Sequence, residues 1–133
     1  MGRKQLILII LGVIIVGAAV AVGINYFHNK AVQFNRDAVI KDLHSLASDA
    51  QAYYRKANEQ GGGDKSFQDY KISQKLKSND NGNYNIISVK PDSVVIQGTG
   101  VETREQGLSC NWGIKITYRI IVQPESTELR QVY

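Results

Sequence analysis

The chain has 133 residues, room for one modest core beside any segment that lies outside it. Its 16 Lys and Arg against 12 Asp and Glu give a formal charge of +4. That charge is spread along the chain without a basic run, which argues against a nucleic-acid footprint. With Cys110 as the only cysteine an intrachain disulfide is excluded; the residue reads as a small buried apolar side chain, with an intermolecular bridge as the alternative.

Leu6–Ile24 carries neither charge nor proline. A hydrocarbon core about 30 Å thick needs roughly 20 apolar residues of helix. Leu6–Phe27 meets that length with Asn25 as its interior polar residue. Arg3 and Lys4 stand before it with no acidic neighbour, so the positive-inside tendency places the N-terminus in the cytoplasm and the remaining chain outside. The alternative is a cleaved secretory signal with Ala19-Val20-Ala21 as its cleavage site. Against it, nothing in the following residues breaks a helix, whereas a processed segment usually gives way to a turn or an extended stretch. The apolar helix is also rich in small residues. Leu6, Ile10, Gly12, Val13, Gly17, Ala18, Ala21 and Gly23 are the expected helix-packing positions, the glycines and alanines among them because small side chains let other helices approach closely in an apolar setting.

Beyond Val32 the apolar positions Val39, Leu43, Leu46, Ala50, Tyr53 and Ala57 follow alternating steps of four and three, one stripe on a helix. Arg36, Asp37, Lys41, Asp42, Asp49, Gln51, Arg55 and Lys56 fall on its other faces. One helix from Arg3 to Asn58 would be on the order of 80 Å long. Gly61-Gly62-Gly63 is expected to end it, through the entropy cost of glycine and a left-handed cap. A phosphate-cradling loop is not supported there, since no strand precedes the glycines and no Gly-Lys-Ser/Thr follows.

A connector with Phe67, Tyr70, Ile72 and Leu76 as anchors comes next, with one helical turn expected over Ser73–Lys77 and a turn at Asp80-Asn81-Gly82-Asn83. The period then changes to two. Tyr84–Val89 and Ser93–Gln97 read as hairpin arms about Pro91-Asp92, and Ile114–Val122 is the clearest strand, with Pro124-Glu125-Ser126 turning the chain into Thr127–Tyr133. Gly98–Asn111 reads as the longest irregular loop, with Gly100–Thr103 as a possible strand extension. The expected fold class is therefore α+β: a long apolar-then-amphipathic helix packed on an antiparallel sheet of about four strands. The domain division is 1–30 for the apolar helix and 31–133 for an exported globule, itself split into helix 31–59, connector 60–83 and sheet 84–133.

Catalytic apparatus is not visible in this pattern. His28 and His44, the two histidines, would stand roughly 24 Å apart on one helix and cannot share a metal ion. His28 reads as an interfacial residue and His44 as an exposed one. Asn79-Asp80-Asn81-Gly82-Asn83 offers several oxygens, yet the bidentate acid of a calcium loop is missing at its expected distance, so a plain turn is favoured. Tyr53-Tyr54 reads as core. No catalytic residue, metal or cofactor is assigned, and the chain is not read as an enzyme.

The segments Met1-Gly2, Leu8-Ile9-Ile10-Leu11-Gly12-Val13-Ile14-Ile15-Val16-Gly17, Asn35-Arg36-Asp37-Ala38-Val39 and Gln51-Ala52-Tyr53-Tyr54-Arg55 resemble bacterial pilin-like proteins, and the whole layout resembles type IV pilin subunits. The resemblance implies a structural subunit that is stored in the inner membrane, extracted by pilus-type export machinery, and assembled with copies of itself into an extracellular helical filament on the cell surface. The runner-up is a membrane-anchored exported binding domain, or a minor pilin or pseudopilin of a secretion system. Gly2 is the residue after which a prepilin peptidase would cut, and the position five residues on, where the family carries a glutamate, is Ile7.

Overall fold

The computed structural model describes residues 2–104 and 114–132. The chain divides into two compact units, Met1–Gln33 and Phe34–Tyr133, a boundary three residues later than the sequence suggests. Helix α1 (Gly2–Arg55) is a single unbroken element. Helix α2 (Gln74–Lys77) is short, and the strands are β1 (Ser78–Asn79), β2 (Gly82–Lys90), β3 (Ser93–Arg104), β4 (Ile114–Val122) and β5 (Thr127–Val132).

In the second unit the amphipathic part of α1 packs on one antiparallel sheet whose strands lie side by side in chain order, β1 to β5. This is the expected α+β layout with five strands in place of about four. The extra strand is β1, two residues long, formed because the Asn79–Gly82 turn is tight enough to pair Asn79 with Gly82 and Ser78 with Asn83. Asn79 Oδ1 closes that turn by accepting from the N–H groups of Asn81 and Gly82 at 3.0 and 3.1 Å. The Pro91-Asp92 turn lies between the paired residues Lys90 and Ser93.

The core follows the two periods. From α1, Val39, Leu43, Leu46, Ala47 and Ala50 are buried; from the strands, Tyr84, Val94, Ile96, Ile116, Tyr118, Ile120 and Val122 meet them at alternate positions. Phe67 and Tyr70 of the connector are also buried, whereas Leu76 is exposed and Ile72 half-buried. Tyr54 and Phe67 pack with tilted rings whose centres are 4.7 Å apart, Tyr53 and Tyr70 likewise with centres 5.5 Å apart, and the Phe67 N–H donates to the Pro91 carbonyl at 3.0 Å. Tyr53-Tyr54 thus ties the end of the helix to the connector.

Two expectations need correction. The first is the end of the helix, which falls at Arg55 rather than at the triple glycine. The returning chain takes the last carbonyls: the N–H groups of Gly63, Lys65 and Asp64 donate to the carbonyls of Tyr53, Tyr54 and Lys56 at 2.9, 2.8 and 3.0 Å. Ala57 therefore adopts an extended backbone, begins a 3-10 turn over Asn58–Gln60, and is exposed instead of extending the packed stripe. Gly61, at φ 76°, closes that turn in the left-handed region. The second concerns Gly98–Asn111: the strand extension expected over Gly100–Thr103 is present, and strand in place of loop also takes in Gly98, Thr99 and Arg104, since β3 runs unbroken from Ser93 to Arg104. Gly98 and Gly100 are there for close approach. A Cβ at Gly98 would press on the Tyr84 ring and Val39, and one at Gly100 would run into Asn35 Oδ1. The rest of that loop reading, residues 105–111 with Cys110, lies outside the described residues.

Candidate interaction surface

The second unit holds its helix with polar contacts as well as apolar ones. Asn35, the one buried polar residue among those described, donates from Nδ2 to the Asn81 carbonyl at 2.7 Å and accepts at Oδ1 from the Glu102 N–H at 3.2 Å. One helical heptad later, Asp42 Oδ2 accepts from Asn79 Nδ2, Asn81 Nδ2 and the Tyr84 hydroxyl at 2.8, 2.9 and 2.7 Å. The β1–β2 turn is thereby fastened to α1 at two points. Burial pushes the Asp42 carboxyl up, but the donors Asn81, Tyr84 and Asn79, with Lys41 nearby, outweigh it and leave its pKa below the ordinary carboxylate value. Tyr84 and Tyr70 are raised, first by burial and then by donating to Asp42 and Asp49. These groups fix a fold. Among the described residues no three His, Cys, Asp or Glu side chains come together as metal ligands.

The first unit has the opposite character. Every residue expected to pack helices lies on α1, and Leu6, Ile10 and Val13 are 59, 51 and 67% exposed. Ala18 and Ala21 are exposed and Gly23 is half-exposed. An added Cβ at Gly12, Gly17 or Gly23 would meet nothing within 4 Å. No core of this unit's own explains its small residues. Gly2, the candidate processing residue, opens the helix. Its first turn contains no acidic residue and carries Arg3 and Lys4 against the helix dipole, so the capping terms do not stabilise this end. By length and composition the helix can cross a membrane; a signal sequence near an N-terminus would meet the same test.

The far end of the apolar segment is marked by aromatic and basic groups. Tyr26 and Phe27 form an edge-to-face pair with ring centres 6.1 Å apart, and Lys30 Nζ lies 5.7 Å from the Tyr26 ring centre. This combination suits a boundary between hydrocarbon and water, where an apolar ring meets a wet cation.

Of the positions read from the sequence, Val39, Leu43, Leu46 and Ala50 are buried in the second unit, Tyr53 is half-buried and Ala57 is exposed. His44 is exposed on α1. Asn35 and Asp42 escape a reading by hydrophobic stripe, because polar residues score as solvent-facing. Their seven-residue spacing, in phase with the edge of the Val39–Leu46 stripe, was the available signal. Comparison of the chain with protein-family models, with curated proteins and with solved structures gives no match.

Proposed function

We propose that this chain is the structural subunit of an extracellular, type IV pilus-like helical filament, assembled by bundling its N-terminal apolar helices. The observation that carries the reading is the contrast along α1. Between Leu6 and Ile24 the helix is apolar all round and exposed, whereas from Val39 to Ala50 the same helix supplies one side of a closed core. A simple anchor needs only an apolar surface; Gly12, Gly17 and Gly23, each of which costs about 1 kcal/mol of helix propensity against alanine in water, add the close approach that packing against other helices uses.

The mechanism is an exchange of neighbours. In the membrane, lipid covers the apolar segment, and helix association gains little from apolar burial because lipid tails are as apolar as leucine. Once the segment leaves the membrane, water is the alternative, and each fully buried Leu, Ile or Val side chain is worth roughly 1.5–3 kcal/mol. A bundle of such helices is therefore adaptable where it forms and hard to dissolve where it functions. The sheet of the second unit would form the filament surface.

Electron microscopy of shed surface material from the producing bacterium tests this reading. Uniform fibres in which mass spectrometry finds this chain as the main component support it. A chain recovered only as a detergent-soluble monomer, with no fibres, would instead make it a membrane-anchored binding domain or a minor component of a secretion system. N-terminal sequencing of the same material distinguishes a start at Met1, at Arg3 after cleavage behind Gly2, or at Val22 after cleavage behind Ala21.

A further inference from the structure

From Leu6 onward the first polar side chain that α1 presents is Asn25. It is exposed, and among the described residues its amide makes one hydrogen bond, from Nδ2 to the Ala21 carbonyl at 3.3 Å. That bond is long, and the carbonyl it uses already belongs to the helical ladder. The Oδ1 acceptor and the second Nδ2 hydrogen stay available. Ala21 and Ala18 stand one and two turns before Asn25 on its own face of the helix, so a neighbouring helix can come close enough to reach this short amide.

The position of Asn25 makes its two settings unequal. It directly precedes the Tyr26, Phe27 and Lys30 group, hence in a membrane it lies at the hydrocarbon edge, where water satisfies the amide. In a bundle of apolar helices water is excluded, and an amide left unpaired carries the full penalty of desolvation. We infer that Asn25 sets the axial register of neighbouring subunits, its amide hydrogen-bonding to the helix of a second copy of this chain. The second copy is the fitting occupant because this helix offers both halves of the contact: a polar amide at Asn25, and a stretch of small residues at whose Gly17 and Gly23 an added Cβ would meet nothing within 4 Å, so that another helix backbone can come close. A single buried asparagine fixes register in coiled coils on the same principle.

This inference rests on the filament reading, and one experiment separates their failures. Fibres are purified from bacteria producing the wild-type chain, Asn25→Leu or Asn25→Gln, and their helical order is read from averaged power spectra. Both substitutions keep the chain's length and charge, and Asn25→Leu makes the segment more apolar, so membrane insertion, followed by fractionation, should not fall. Apolar attraction alone would make Asn25→Leu assemble at least as well as wild type. Register by the amide has the opposite sign: Asn25→Leu loses the single set of layer lines or drops fibre yield about tenfold, and Asn25→Gln retains order. Wild-type layer lines at wild-type yield in Asn25→Leu overturn the role of Asn25 and leave the filament standing. Absence of fibres from the wild-type chain overturns both.

Discussion

Residues 2–33 and 34–55 share one helix and almost nothing else. The first stretch contains no buried residue, while the second buries Asn35, Val39, Leu43, Leu46, Ala47 and Ala50. Helical geometry is equally regular in both, so regularity says nothing about what stabilises it. In the second unit the helix is stabilised by its own sheet; in the first no described residue of the unit is buried, and no such surface is supplied from within it.

The sharpest way to break this comparison is to remove residues 2–33. The remaining unit is expected to stay folded, with a cooperative thermal transition by circular dichroism, and to move wholly from the membrane to the soluble fraction. A chain that unfolds or aggregates would mean that the two units are not separable. Next in size is a pair of matched truncations. Leu43→Ala, at a fully buried site, should cost about 3 kcal/mol in urea unfolding of the second unit. Leu11→Ala, at a site 51% exposed, should leave that transition within about 0.5 kcal/mol of wild type.

A third test concerns polar fastening. Asp42→Asn removes a charged acceptor shared by three donors and should cost about 2 kcal/mol. The sign of its pH dependence follows from its lowered pKa in the folded state. The stabilisation is present above the unfolded carboxylate value, about 3.9, and is lost as pH falls through the folded value. Thermal melts of wild type between pH 5 and 2 should therefore drop more steeply than those of Asp42→Asn, and parallel curves would remove Asp42 from the account. The smallest effect belongs to Glu128→Gln. Its ion pair with Arg130 spans 2.8 Å, but both side chains are well exposed, so a change below about 0.5 kcal/mol is expected in the same unfolding assay.

Much of this fold is legible in the sequence because two periods write it plainly. The steps from Val39 to Ala50 and the alternation from Ile114 to Val122 translate directly into buried faces. What the sequence hides is long-range and polar. Nothing local announces that Gly63, Lys65 and Asp64 will cap carbonyls at the end of α1, ending it before Ala57. Gly98 and Gly100 suggest a loop by composition, yet they serve a strand on which Asn35 and Val39 rest. Asp42 counts as a solvent residue until its three donors, at positions 79, 81 and 84, are seen beside it. For the interaction surface, the apolar run and its small residues are visible at once, and among the described residues no part of the first unit's own chain covers them.

The order of the strands has a kinetic side. Because β1 to β5 lie next to one another in the order in which they occur, the sheet grows by adding each strand to its predecessor. The β1–β2, β2–β3 and β4–β5 turns are short, and closing such loops is fast. In the sequence β3 and β4 are the successive strands that lie furthest apart, with Arg104 paired to Ile114, so pairing of β3 with β4 is the step on which completion of the sheet depends. A chain delivered N-terminus first can thus form its helix, then its first hairpin, and complete the sheet once β4 and then β5 follow.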